Sequence, residues 1–199
     1  MNVLITPGPI MGTVAVPPSK SQTHRAIIAA SLAKGKSVIH NAAVNDDIAA
    51  TIAAMEKIGV KIINNGTQLI VNGVSRVVVS DDNFIDCNES GSTLRFILPI
   101  LSLSREKVIY SGKPSLMKRP MSTYDEICRQ HGLVYQQNDK SIMVSGTLTP
   151  GVYQVPGSVS SQFISGLLFA LPLLKGDSEI HIGEPLESKG YVDMTVDML

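Results

Sequence analysis

The sequence has no excess of charge of either sign, because its 17 basic residues are balanced by 17 acidic ones. This balance argues against a protein that grips a polyphosphate backbone through charge alone. Cysteine is also scarce: Cys87 and Cys128 lie far apart and form no C-x-x-C pair. Such usage is typical of a reduced protein and not of a disulfide scaffold. We therefore expect a cytoplasmic location and no nucleic-acid partner.

Signals for secretion, membrane insertion and metal binding are missing as well. The first residues, Met1–Leu4, show no basic region and no cleavage-site pattern. The longest apolar stretch, residues 163–174, is too short to span a bilayer and contains Pro172. No His, Cys, Asp or Glu group has metal-ligand spacing, and no G-x-x-x-x-G-K-[ST] loop occurs. We expect no membrane partner, no metal site and no cofactor.

A six-residue segment occurs twice: V-P-P-S-K-S at residues 16–21 returns as V-P-G-S-V-S at residues 155–160. Each copy follows a run with strand character, Gly12–Val16 and Gly151–Val155, and precedes an apolar stretch of helical length. Each copy therefore presents hydroxyl groups at a predicted helix start. A helix start carries unpaired N–H groups and partial positive charge, which suit an anionic ligand.

The surrounding elements repeat in the same order. Three buried helices are predicted after hydroxyl residues, with stop signals at Gly35, Pro99 and Pro172, and a short strand follows each. In the first two units an amphipathic helix and a hairpin of equal length come next. The sequence therefore predicts an α/β fold of repeated βαβαββ units, covering residues 12–82, 83–146 and 147–199.

The third unit is incomplete in this sequence. Its second helix is predicted at Ser188–Leu199, with Tyr191, Met194 and Met198 on the buried face, and no hairpin follows. We expect the chain to be a fragment of something longer.

Cations lie where a helix dipole disfavours them. Lys20 and Arg25 fall in the first turns of one predicted helix and Arg95 in those of another, at a cost of a few tenths to ~1 kcal/mol each. An anion at these helix starts would offset the cost, since Lys offers a point charge and Arg a planar fork. The alternative is a set of solvated surface cations, with Ser19 and Ser21 as plain caps. Because three helix starts are alike, we favour the ligand interpretation.

Five segments together resemble the EPSP synthase family of enolpyruvyl transferases. They occur in family order and cover nearly the whole chain: Pro18–Ser21 with Arg25, Gly91–Arg95, Met117–Pro120, Ser160–Phe163 and Ser188–Asp193. The resemblance implies the inside-out α/β barrel of that fold, with two domains of three βαβαββ units each and the active site between them. Residues 12–199 would form the N-terminal domain with its third unit truncated, and residues 1–11 would be a strand segment of the second domain.

The resemblance also implies a reaction. The enolpyruvyl group of phosphoenolpyruvate would move to the 5-hydroxyl of shikimate-3-phosphate, releasing phosphate, in the shikimate pathway that leads to chorismate and the aromatic amino acids. No cofactor or metal is implied, and the full-length enzyme would be a monomer whose other partner is the C-terminal domain of the same chain.

Roles for particular residues follow from the same resemblance. Lys20 would be catalytic, contacting both ligands near the reacting centre and taking part in proton transfer. Gly91 and Arg119 would bind phosphoenolpyruvate, and Gln162 would lie between the two ligands. Shikimate-3-phosphate would be held at its carboxylate and at its ring and phosphate by Ser21, Arg25, Ser160, Ser161, Ser188 and Tyr191.

Two departures from the family pattern matter. Where the family usually reads Asn-Ala-Gly-Thr, this chain has Glu89-Ser90-Gly91-Ser92, which puts an acid beside the expected phosphoenolpyruvate site. The family's acid and base carboxylates lie in the other half of the enzyme. Because general acid–base catalysis needs such groups within hydrogen-bond reach, the chain alone is expected to be inactive.

Two other functions stay open. A UDP-N-acetylglucosamine enolpyruvyl transferase would share the fold, although Lys20-Ser21 with Arg25, in place of a Lys-Asn start, argues against it. A non-catalytic repeat module that binds an anion or a protein partner is the other alternative. The basic segment Lys113–Pro120 could by itself be a solvated loop.

Overall fold

The computed structural model describes residues 3–4, 6–9, 11–80 and 82–199. In this part of the chain the helices are α1 Lys20–Leu32, α2 Asp46–Glu56, α3 Gly91–Leu101, α4 Pro114–Met117, α5 Ser122–Gln130, α6 Gln162–Ala170 and α7 Lys189–Val196, with a 3-10 turn at Leu171–Leu173. The strands are β1 Gly35–His40, β2 Lys61–Asn64, β3 Gln68–Gly73, β4 Phe84–Asp86, β5 Val108–Ser111, β6 Val134–Gln137, β7 Ser141–Ser145, β8 Val152–Val155 and β9 Glu179–Ile182.

The second unit contains the whole repeat. Its sheet has the order β4-β5-β7-β6, with β4 parallel to β5 and the remaining pairs antiparallel. The helix α3 connects the two parallel strands, as a crossover between parallel strands requires. The order strand, helix, strand, helix, hairpin is the one predicted, which confirms the α/β fold of repeated units.

The first and third sheets each match a part of this pattern. The first has the order β1-β3-β2, which corresponds to β5-β7-β6, and the third is the parallel pair β8-β9, which corresponds to β4-β5. The three repeats therefore share one plan, and within the described residues only the second shows all four strands.

One predicted strand is wrong in this structure. Gly12–Val16 forms no strand, and the side chains of Val14 and Val16 are more than four-fifths exposed, at 84% and 83%. A short strand is stable only when a neighbouring strand satisfies its backbone groups, and among the described residues β1 pairs with β3 alone. Its counterpart β8 becomes a strand because β9 pairs with it.

The described part of the first eleven residues contains no strand either. Residues 1, 2, 5 and 10 lie outside the described residues, and the assignment of segment 1–11 to a second domain stays a prediction.

The first helices of the three units, α1, α3 and α6, carry much of the core. Phe96 on α3 meets Phe169 on α6 with ring centroids 5.8 Å apart.

The predicted break at Pro99 is wrong, since α3 continues to Leu101. Pro99 has no N–H for the carbonyl of Arg95, but the Tyr124 hydroxyl donates to that oxygen at 2.6 Å. A side chain from α5 thus supplies the hydrogen bond that proline removes.

The buried face of α7 differs from the prediction. Val192 and Thr195 are buried, whereas Tyr191 is about half exposed, and the helix ends at Val196. The hydroxyl of Thr195 is buried because it accepts a hydrogen bond from Arg25 at 2.7 Å. The buried face of α7 therefore carries a hydrogen bond to a buried arginine beside the apolar side chain of Val192.

Candidate anion-binding site

Side chains at or near the beginnings of several helices form hydrogen bonds that link one helix to another. Lys20 Nζ on α1 donates to Asp47 Oδ2 on α2 at 2.7 Å. Gln162 Nε2 on α6 donates to Ser92 Oγ on α3 at 2.9 Å. Arg25 Nη2 on α1 donates to the Tyr191 carbonyl on α7 at 3.0 Å. The predicted site residues of three separate repeat units are therefore brought together.

Gly91 lies at the first position of α3, directly against two guanidinium groups. A Cβ atom built on it would lie 2.5 Å from Arg119 Nη1, 3.4 Å from Arg95 Nη1 and 3.6 Å from Gln162 Oε1. A side chain here would therefore displace Arg119. Glycine leaves the helix start open to these polar groups, and Gly91, Arg119 and Gln162 lie close together there.

Arg95 is buried without a carboxylate partner among the described residues. Its Nη1 donates to Gln162 Oε1 at 2.7 Å, and its Nη2 donates to the Pro120 carbonyl at 3.2 Å. Burial lowers the pKa of Arg95, and the charge of nearby Arg119 acts in the same direction. Two cations thus lie close together at the start of α3, which is an arrangement that favours an anion.

Arg25 is enclosed in a similar way. It is 2% exposed, and its guanidinium donates to Thr195 Oγ1, Ser165 Oγ and the carbonyls of Ser21 and Tyr191. All four acceptors are neutral, and burial lowers the pKa of the guanidinium. These bonds use four of its five N–H groups and leave one on Nη1. Arg25, which is predicted to bind a substrate carboxylate, is therefore a buried cation without a counter-ion in the described part of the chain.

Lys20 has a partner that the sequence did not identify. Asn45 caps α2 through its side chain, which accepts from the Ile48 N–H at 3.0 Å. Asp47 is free to bind Lys20 instead, although 27 residues separate the two. Only the packing of α1 on α2 reveals this contact.

Glu89 is hydrogen-bonded to the basic segment, Lys113–Pro120. Its carboxylate accepts from Ser115 Oγ at 2.8 Å and from Lys113 Nζ at 3.0 Å. These two bonds, the serine first, hold the pKa of Glu89 below its ordinary value of 4.5. The acid that departs from the family pattern is thus committed to the basic segment, whose residues 114–117 form the one-turn helix α4.

The remaining predicted residues lie on α6 and α7. Ser160 is exposed and its Oγ accepts from the Gln162 N–H at 3.4 Å, while Ser161 is buried at the helix start and makes no side-chain cap bond. Ser188 directly precedes α7 and lies in the left-handed region with a φ of 57°, which is uncommon for serine. The half-exposed ring of Tyr191 stacks near Arg25, 5.9 Å from its central carbon.

His24 is a further buried polar residue, which the sequence motifs do not single out. It is 1% exposed, and its Nδ1 lies 2.8 Å from Thr51 Oγ1. Burial lowers its pKa to about 4. No signal in the sequence distinguishes this histidine, because its partners come from other helices.

No group of three His, Cys, Asp or Glu side chains that could hold a metal ion occurs within residues 3–4, 6–9, 11–80 and 82–199. Over the same residues no helix is both long and apolar enough to cross a membrane.

A profile of EPSP synthase (3-phosphoshikimate 1-carboxyvinyltransferase) matches residues 5–199. The chain belongs to the EPSP synthase family. A family member from Clostridium perfringens is 49% identical over 200 residues, covering all of this chain and 47% of its own length, and one from Clostridium novyi is 44% identical over 209 residues, with 48% of its length covered. Both are named 3-phosphoshikimate 1-carboxyvinyltransferase. The chain thus spans about half the length of these EPSP synthases.

A solved EPSP synthase structure has the same fold. The enzyme from Acinetobacter baumannii superimposes with a TM-score of 0.80 at 25% identity, over 94% of this chain and 43% of that one. The enolpyruvyl transferase fold predicted for the chain is therefore confirmed.

Proposed function

We propose that this chain is the shikimate-3-phosphate-binding half of an enzyme that transfers the enolpyruvyl group of phosphoenolpyruvate to the 5-hydroxyl of shikimate-3-phosphate. The observation that carries the proposal is the convergence of Arg119, Arg95 and Gln162 on Gly91 at the start of α3. Both substrates are polyanions, and bringing them together requires fixed positive charge and oriented donors.

The phosphoenolpyruvate wall would consist of Gly91, Arg119, Gln162 and Lys20. Arg119 follows α4 and is exposed. Its guanidinium group is therefore open to a phosphate or carboxylate. Gln162 already bridges Arg95 and Ser92 through both ends of its amide. From that position it would contact both ligands.

The shikimate-3-phosphate wall would consist of Lys20, Ser21 and Arg25 on α1 together with α6 and α7. Arg25 would bind the carboxylate, because a buried cation surrounded by neutral acceptors is stabilised by an anion. Ser160, Ser161, Ser188 and Tyr191 would hold the ring and its phosphate. Lys20, which is half exposed beside Asp47, would serve both ligands and proton transfer.

The other half of the relatives' length would supply the acid and base carboxylates, and the enzyme would work in the cytoplasm as a monomer without metal or cofactor.

A titration of the chain with shikimate-3-phosphate, followed by backbone amide NMR and calorimetry, tests the proposal. We expect saturable shifts at Ser21, Arg25 and residues 160–162, while UDP-N-acetylglucosamine, the substrate of the alternative enzyme, leaves them unchanged. Binding of the UDP-sugar alone would favour that alternative. Binding of neither ligand would contradict the proposed function.

A further inference from the structure

A chain of buried polar side chains crosses from α1 through α2 to the start of α3. His24 Nδ1 lies 2.8 Å from Thr51 Oγ1, which lies 2.7 Å from Thr93 Oγ1, and Thr93 Oγ1 lies 2.7 Å from Ser90 Oγ. All four side chains are at most 1% exposed. We call these four residues the polar chain.

The polar chain ends at the residue that caps α3. Ser90 Oγ accepts from the Thr93 N–H at 3.1 Å, and the next residue is Gly91. Thr93 Oγ1 also lies 3.3 Å from the main-chain oxygen of Asp47, whose carboxylate binds Lys20. The same side chains therefore connect Lys20, which would serve both ligands, to Gly91 in the phosphoenolpyruvate wall.

The hydrogen bonds have a preferred direction. His24 Nε2 is buried and makes no hydrogen bond among the described residues. An unpaired N–H is less tolerable in a core than an unpaired ring lone pair, so the proton belongs on Nδ1. The Nδ1–H then donates to Thr51, Thr51 donates to Thr93, and Thr93 donates to Ser90. This order satisfies each link with one proton.

We propose that His24, Thr51, Thr93 and Ser90 are positioning residues that fix the start of α3 against α1 and α2, and thereby set the spacing between Lys20 and the Gly91–Arg119 wall. The inference rests on the proposed function of that wall. Buried polar side chains that are hydrogen-bonded across helices favour one well-defined arrangement, because a shift of one helix would leave a donor or acceptor unpaired. Serine at position 90, where the family usually has alanine, provides the end of this chain.

The test compares Thr93→Val and Thr51→Val, which keep the side-chain shape but remove the hydroxyl, with Thr93→Ser, which restores it. Thr23→Val is the matched control, since Thr23 is also buried on α1 but donates only to the Ser19 carbonyl of its own helix. Phosphoenolpyruvate and shikimate-3-phosphate are titrated separately, and circular dichroism with urea unfolding establishes that each variant is folded.

We expect the two valine variants to bind phosphoenolpyruvate roughly three- to tenfold more weakly, with Thr93→Ser and Thr23→Val within about twofold of the unmodified chain. Unchanged phosphoenolpyruvate binding in folded valine variants would overturn the positioning role. Absence of phosphoenolpyruvate binding by the unmodified chain would also overturn the positioning role. Absence of shikimate-3-phosphate binding by the unmodified chain would instead count against the proposed function itself.

A ligand-free measurement covers the case in which a valine variant does not fold. The nitrogen-15 NMR spectrum of His24 should show the Nδ1–H tautomer in the unmodified chain and in Thr93→Ser, which keeps the hydroxyl at position 93. A His24 proton on Nε2 would contradict the direction of the polar chain and with it the proposal.

Discussion

At the scale of single residues, the site combines charges that are neutralised with charges that are not. Lys20 and Lys113 have carboxylate partners in Asp47 and Glu89. Arg25 and Arg95 have only neutral acceptors within the described residues, and burial lowers the pKa of both. Since a buried unpaired charge is costly, the two arginines are the groups that an incoming anion would stabilise most.

His24 should make the stability of the chain depend on pH. Its pKa is lowered from 6.5 to about 4 by burial, which corresponds to roughly 3 kcal/mol. The neutral form is the one that is buried, so this stability is complete above pH 6.5 and is lost as the pH falls to about 4. Urea unfolding between pH 7 and 4 should therefore show a steeper loss in the unmodified chain than in His24→Gln. Replacing the exposed His40 with glutamine is the control, and equal slopes in all three proteins would contradict the assignment.

We expect Glu89 to hold the basic segment, Lys113–Pro120, against the start of α3. Glu89→Gln removes the ion pair with Lys113, and because both partners are exposed we expect only a small loss of stability at pH 7. The pKa of Glu89 is lowered in the folded state, so the difference between the two proteins should disappear as the pH falls below 4.5 through that lowered value. Amide hydrogen exchange at residues 113–119 should be faster in the variant at pH 7. Equal exchange rates would show that Glu89 does not hold this segment.

At the scale of elements, close packing of α3 on α6 depends on one glycine. A Cβ on Gly166 would lie 2.4 Å from both the Arg95 carbonyl and the Tyr124 hydroxyl, and 3.1 Å from Pro99 Cγ. These are the groups that maintain α3 across its proline. The contact between α3 and α6 and the Tyr124 hydrogen bond that replaces the missing Pro99 N–H therefore both depend on the absence of a side chain at Gly166.

Gly166→Ala should destabilise the chain by about 1–3 kcal/mol, because the new methyl group separates α3 from α6. Gly190→Ala is the matched control, since Gly190 lies on α7 and a Cβ there meets nothing within 4 Å. Alanine at that helical position should be neutral or stabilise by up to about 1 kcal/mol. Urea unfolding of both variants checks the prediction, and a neutral Gly166→Ala would contradict the close contact.

At the scale of the whole molecule, the three repeat units have diverged in what their first helices carry. The first presents Lys20 and Arg25, the second Gly91 and Arg95, and the third Ser160, Ser161 and Gln162. One scaffold thus supplies several different groups to one set of hydrogen-bonded helices. In such a repeated fold, local substitutions change the site while the strand order of the sheets stays the same.

The chain by itself should not turn over substrate. Mixed with shikimate-3-phosphate and phosphoenolpyruvate, it should release no phosphate above background, because it would lack the acid and base carboxylates proposed for the other half. The full-length Clostridium perfringens enzyme, assayed in parallel, provides the positive control. Phosphate release that increases with the concentration of this chain would show that its own residues suffice for the reaction.

Local sequence determined the repeat, most helix starts and the motif residues of the site. Ser19, Asn45 and Ser90 cap their helices as hydroxyl and amide residues at such positions do, because capping involves only residues three positions apart. The hairpins also followed from turn residues between short apolar runs.

Tertiary structure alone decided which side chains meet. Asp47 binds Lys20 across 27 residues, Thr93 meets Thr51 across 42, and Thr195 meets Arg25 across 170. It also kept α3 intact through Pro99, turned α7 onto Thr195 and left Gly12–Val16 without a strand partner. Local spacing cannot specify such outcomes, because each depends on how two distant helices or strands pack, and only the folded chain brings those partners within hydrogen-bond distance.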